Sequence, residues 1–163
     1  MTDRIESSIV IERSYKAELE DLWALWTTKA GFESWWGPEG FRADVHRIEG
    51  RLGGALHYDM VADTPEMIAA MKDMGEPSAT ACRGHFSEFK PQERVALSQI
   101  IDFLPGVEPY DSLIEVDFIP APNEHVRMIV TLHQMHDAQT TGMQQQGFLS
   151  QLSKLDRRYG WQA

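Results

Sequence analysis

Cysteine is almost missing from this chain: Cys82 is the single one among 163 residues. That excludes an intramolecular disulfide and any zinc cluster built on cysteines. Long apolar runs are missing too. Between Met1 and Glu12 charges mix with the short run Ile9-Val10-Ile11, whereas a signal peptide needs roughly 7–15 apolar residues and a membrane span about 20. No membrane insertion is expected, and a reducing cytoplasm is the expected compartment. Basic residues are scarce. Lys and Arg total 15 against 25 Asp and Glu, a net charge of −10. A phosphate backbone is held by clustered cations, so no nucleic-acid partner is expected. The pair Arg157-Arg158 falls instead where a helix should end, and there cations offset the helix dipole.

The common catalytic signatures are absent as well: no Gly-x-Ser-x-Gly elbow, no His-Glu-x-x-His, no phosphate loop and no Gly-x-Gly-x-x-Gly. His133 and His136 have a spacing that a helix could turn toward one metal, yet they straddle a strand end and a loop. No metal and no cofactor are expected, and no catalytic residue is assigned.

What the chain does contain is periodic. Ser8 to Tyr15 reads as a strand, and Ala17 to Thr27 as a helix with Leu19, Leu22, Trp23 and Trp26 at i, i+3, i+4 and i+7. A second short helix is expected over Lys29 to Trp35, with Thr28 as its N-cap. Strand-like segments follow at Arg42 to Ile48, Ala55 to Val61, Thr80 to Lys90, Val95 to Asp102, Leu113 to Ala121 and Val126 to His133. Turns rather than helices join them, which implies an antiparallel sheet. One helix interrupts the series: Thr64-Pro65-Glu66 starts it, Gly75 stops it, and Met67, Ile68, Met71 and Met74 form its apolar stripe. The last helix is expected from about Asp137 to Tyr159, ending at Gly160, with Phe148, Leu152, Leu155 and Tyr159 on one side. At this length, without repeat or linker, residues 1–163 read as one domain with a core at about 8–160 and a helical insertion at about 63–79.

Specific words in this order resemble a known family. Leu25-Trp26-Thr27 with Trp35-Trp36-Gly37-Pro38-Glu39-Gly40-Phe41 is similar to the opening of the activator of heat-shock ATPase homologue-like branch of the START-like (SRPBCC) superfamily. Gly53-Gly54-Ala55-Leu56-His57-Tyr58-Asp59-Met60, Arg83-Gly84-His85-Phe86-Ser87-Glu88-Phe89, Pro91-Gln92-Glu93-Arg94-Val95 and Gly147-Phe148 with Leu152 and Leu155 resemble its later motifs. The resemblance runs from Ile9 to Tyr159 and implies an α+β helix-grip fold. In it a curved seven-stranded antiparallel sheet wraps a long C-terminal helix, with two short N-terminal helices and one inserted helix. The co-chaperones that gave the family its name carry a separate N-terminal chaperone-binding domain, for which this length is expected to leave no room.

On that fold the sheet and the last helix would enclose an apolar cavity. Alternation points Leu56, Tyr58, Met60, Ile114, Val116, Phe118, Met128, Val130 and Leu132 inward, facing Met143, Phe148 and Leu152 on the helix. Methionine suits an adaptable pocket. His85, Ser87 and Gln99 are the polar residues expected to face a ligand there, with Gln144 and Gln145 as further candidates. The Trp35-Trp36 pair is expected to pack the short helices onto the sheet. Three functional readings follow. The first is binding of a small hydrophobic or amphipathic ligand: a lipid, a polyketide or a hormone-like aromatic. The second is an enzyme of the cyclase or hydrolase kind using His85 as acid or base. The third is a chaperone-accessory or stress-response protein acting through its surface. The apolar stripe of the inserted helix is expected to be buried, as a lid over the cavity mouth, on the convex outer face or at a homodimer contact.

Overall fold

The computed structural model describes residues 8–102 and 106–161. Strand β1 (Ile9–Lys16) leads into α1 (Leu19–Thr27) and α2 (Lys29–Glu33), then β2 (Phe41–Ile48) and β3 (Ala55–Ala62). Helix α3 (Pro65–Asp73) separates β3 from β4 (Ala79–Lys90); β5 (Arg94–Ile101), β6 (Tyr110–Ala121), β7 (His125–Leu132) and α4 (Ala138–Tyr159) complete the chain. The strands form one seven-stranded sheet in the order β1-β7-β6-β5-β4-β3-β2, every pair antiparallel. It curls as a half-barrel around α4, the α+β helix-grip arrangement.

Three helices, α2, α3 and α4, begin at residues whose side chains cap them. Thr28 Oγ1 accepts from Gly31 N at 3.1 Å, Thr64 Oγ1 from Met67 N at 3.1 Å, and Asp137 Oδ1 from Thr140 N at 2.7 Å. Each bond satisfies one of the N–H groups that a helix start leaves without a partner. α4 ends at Gly160, whose φ of 68° is left-handed and suits glycine.

Polar contacts along α4 hold it against the sheet and the loop after α2. At its C-terminal end Asp156 Oδ1 accepts from Arg13 Nε at 3.0 Å and from Tyr15 Oη at 2.6 Å. The same guanidinium lies 4.0 Å over the Trp161 ring, a cation–π contact. Near mid-helix Gln151 Oε1 accepts from Gly37 N at 2.9 Å, tying α4 to the loop after α2. Between these points lies an aromatic core. Trp26 packs edge-to-face on Trp35 and Trp36, with ring centroids 5.1 and 5.5 Å away, and stacks on Phe148 at 6.2 Å. Such offset and tilted pairs are the favoured geometry for rings with a negative face and a positive edge.

The stripe of the inserted helix, expected to be buried on the domain or on a second subunit, is not closed off within the single chain: no α3 residue is fully buried. Met67 leans on Gly40, with its methyl 3.0 Å from where a Cβ would sit, while Ile68 and Met74 are 46% and 63% exposed. The cap and Pro65 form the helix locally, and Met67, Ala70 and Met71 are its partly buried residues.

Candidate functional site

The concave face of the sheet is sealed over most of its length. Val116, Phe118, Met128, Val130, Phe148 and Leu152 are all buried and belong to one core, packed on each other and on the tryptophans. The face opens at one end. There β3 finishes, β4 begins, β5 finishes and β6 begins, and the inward-pointing Met60, Cys82 and Gln99 are only partly buried.

Register pairs build this end into a row. Tyr58 on β3 stands opposite Cys82 on β4; Gly84 on β4 stands opposite Gln99 on β5; Gln99 stands opposite Ser112 on β6. Residues directly opposite one another in a sheet share a face. The Tyr58 hydroxyl is the hub: it accepts from Trp36 Nε1 at 3.0 Å and from Gln99 Nε2 at 2.8 Å. Gln99 reaches it across β4 because Gly84 offers no side chain in between. A Cβ at 84 would sit 2.5 Å from the Ser98 carbonyl oxygen, so the close approach of β4 and β5 requires glycine.

Burial pushes the Tyr58 phenol far above its ordinary pKa, with the neighbouring Cys82 adding to the effect. Burial raises the Cys82 thiol as well. Both groups are neutral near pH 7. Among the described residues Ser112, 3% exposed, has no hydrogen-bond partner for its hydroxyl, and Gln144 Oε1 on α4 is likewise buried without one. Gln144 lies one helical turn before Phe148 on the helix face that also carries Gln151, Leu152 and Leu155. The third unpartnered polar atom, Trp26 Nε1, lies within the aromatic cluster of Trp35, Trp36 and Phe148.

Three placements correct the sequence-based expectation. His85 and Ser87 lie exposed, on the convex side. Their inward assignment followed the parity of Phe89, but β4 shifts register between Phe86 and Glu88. The bulge at Ser87 adds one residue and reverses the phase, so Gly84 and Phe86 face inward before it and Phe89 after it. Met143 is 64% exposed. Five residues before Phe148 is well past one helical turn, and that carries its side chain away from the sheet. Tyr58, Met60 and Gln99, in contrast, come together at the open end. Sequence reasoning missed Cys82, hidden by the same bulge, and Ser112, because β6 starts at Tyr110 rather than at Leu113. Extending the alternation of Ile114, Val116 and Phe118 back by two residues would have found it.

His133 and His136 diverge. His133 Nε2 meets Glu115, which also pairs with Arg94 on the convex face, while His136 Nδ1 meets Tyr110 Oη at 2.8 Å. Among the described residues no group of three or more His, Cys, Asp or Glu is placed to hold a metal ion. No helix among them is long and apolar enough to cross a membrane. Two surface hollows flank the open end. One of ≈ 530 Å³ is lined by Val107, Tyr110, Met135 and His136; the other, ≈ 230 Å³, by Ile9, Thr141, Gly142 and Gln145.

The family profile described as Activator of Hsp90 ATPase homolog 1-like protein matches residues 16–160. The chain belongs to this family. No curated protein matches the chain. Among solved structures, a protein from Chromobacterium violaceum superposes with a TM-score of 0.72 at 21% identity, covering 93% of this chain and 96% of that one. An AHSA1 protein from Silicibacter pomeroyi gives 0.71 at 22%, covering 93% and 96%, and a protein from Nitrosomonas europaea gives 0.69 at 15%, covering 92% of each. At these identities the likeness is one of fold. The Activator of Hsp90 ATPase homolog 1-like fold is known for ligand binding.

Proposed function

We propose that this protein binds a small hydrophobic or amphipathic molecule, such as a lipid, a polyketide or a hormone-like aromatic, between the open end of the sheet and the first half of α4. One observation carries the reading. Met60, Cys82 and Gln99 point to the concave side yet keep contact with solvent, while every core residue beyond them is closed off. Small-molecule sites are concave, largely apolar and supplied with a few placed polar groups. The row from Tyr58 to Ser112, beside Leu56 and Met60, matches that description. His85 is the acid or base that a cyclase or hydrolase reading would use, and it lies on the other side of the sheet. Tyr58 and Cys82, the titratable members of the row, are held neutral by burial. The reading is therefore one of binding without catalysis, in a single domain spanning residues 1–163, in the cytoplasm and without a nucleic-acid partner.

Cys82 supplies the test, because no other thiol exists in the chain to confuse the signal. The neutral dye N-phenyl-1-naphthylamine should brighten on binding, and at saturation should slow the reaction of Cys82 with a dithiobis-nitrobenzoate reagent. No brightening would overturn binding. Brightening with an unchanged Cys82 rate would move the site elsewhere.

A further inference from the structure

The polar row also defines what kind of molecule fits. The Tyr58 hydroxyl accepts two hydrogen bonds, from an indole that can only donate and from the Gln99 amide nitrogen. Both lone pairs are used, so its own proton must be donated outward from the pair. The protein group standing opposite is the Cys82 thiol, a weak acceptor. Two strands beyond Cys82, on β6, Ser112 Oγ is buried with no partner among the described residues, and Gln144 Oε1 on α4 is a buried acceptor with no donor among them. Leaving such groups without partners costs about 1–3 kcal/mol each, so a molecule that supplies partners gains correspondingly.

These groups are neutral, and among the described residues no basic side chain bonds to them. Among the described residues, two basic side chains on the helix side of the sheet are committed elsewhere: Arg13 to Asp156 and Trp161 at the far end of α4, and Lys154 to the Phe41 carbonyl at 3.1 Å. An anionic headgroup in the row would be desolvated without a counter-charge, which is far more costly than burying a neutral oxygen.

We propose that the ligand is an uncharged apolar molecule whose hydroxyl or carbonyl oxygen docks in the Tyr58–Gln99–Ser112–Gln144 row, and that carboxylates are rejected. This rests on the binding reading above and narrows it to a chemical class. A hydroxyl suits the row most fully, because it can both accept, from Tyr58 or Ser112, and donate, to Gln144 Oε1 or Ser112.

The experiment displaces N-phenyl-1-naphthylamine with three ligands of equal chain length, decane, decanol and decanoate, at about pH 8, where the carboxylate is fully ionised. Decanol should displace the dye at the lowest concentration, with decanoate weakest. Dye that never binds would defeat the binding reading itself. Dye that binds normally while decanoate equals or exceeds decanol would defeat only the choice of ligand class, as would decane equal to decanol. Ser112→Ala separates a recognition role from a structural one. Its hydroxyl bonds nothing in the free protein, so the melting temperature should not fall, while the preference for decanol over decane should drop by about fivefold, the worth of one net hydrogen bond. A variant with unchanged preference would overturn the role of Ser112, and with it the proposed row.

Discussion

The side-chain amide of Gln99 on β5 donates to the hydroxyl of Tyr58 on β3, 2.8 Å away, across a strand whose intervening residue, Gly84, has no side chain. Tyr58→Phe should therefore do more than remove one oxygen. The buried Trp36 indole N–H would lose its acceptor, at a cost of about 1–3 kcal/mol. Urea unfolding should show that loss with an unchanged slope. A variant as stable as the parent would mean that the Trp36 bond contributes nothing.

Gly84→Ala tests the same crossing from the backbone side. An added methyl would meet the Ser98 carbonyl oxygen at 2.5 Å and the Gln99 Cα at 3.1 Å, so β4 and β5 would have to part. Overpacking of this kind costs about 1–3 kcal/mol, and thermal unfolding should register it. Gly142, whose added Cβ would meet nothing within 4 Å, is the control. Gly142→Ala should leave the melting temperature unchanged or raise it.

The pH dependence follows from Glu33. Its carboxylate accepts from Lys29 Nζ at 2.7 Å and from the Val45 N–H at 2.8 Å, pinning α2 to the edge strand β2. The Lys29 bond first, then the Val45 N–H, hold its pKa below the ordinary glutamate value. A depressed folded pKa stabilises the protein above the unfolded value, about 4.3, and that contribution disappears as pH falls through the folded value. Glu33→Gln should thus be less stable than the parent at neutral pH and converge with it in acid. A stability gap that stays constant down to about pH 3 would contradict the assignment.

Helix α3 stands apart from the core, and replacing residues 63–79 with a short Gly-Ser turn should preserve the fold. Because Ile68 and Met74 are left in water, solubility should improve. The two residues that lean inward, Met67 and Met71, connect α3 to the rim near Gly40. If α3 acts as a lid there, the shortened protein should release N-phenyl-1-naphthylamine faster. Unchanged release kinetics would end the lid reading, and a change in oligomeric state would favour a dimer contact in its place.

Much of this arrangement could be read from the sequence because its determinants are local. Thr28, Thr64 and Asp137 cap their helices through side chains that act within three residues, and Gly160 stops α4 through its own φ. The inward sets of β6 and β7 follow from plain alternation. The site was harder to read because it depends on register. One extra residue at Ser87 reverses the face of everything before it on β4, and nothing in the composition of Arg83-Gly84-His85-Phe86-Ser87 announces a bulge. Ser112 was hidden by a strand start placed three residues late, since Tyr110, Asp111 and Ser112 include polar residues usual in loops. The bond from Gln99 to Tyr58 spans 41 residues and exists only once three strands, β3, β4 and β5, are in register.

The central claim is that a ligand enters at the Tyr58–Ser112 end of the concave face, and backbone amide shifts in a ¹⁵N-labelled sample titrated with decanol test it most directly. The expected result is a cluster of shifts at Tyr58, Cys82, Gln99, Ser112 and Gln144. A separate hollow lies on the convex face, lined by Lys90, Arg94, Asp117 and Ile119, and these residues should stay still. Shifts confined to that convex hollow, or none at concentrations where the dye is displaced, would contradict it.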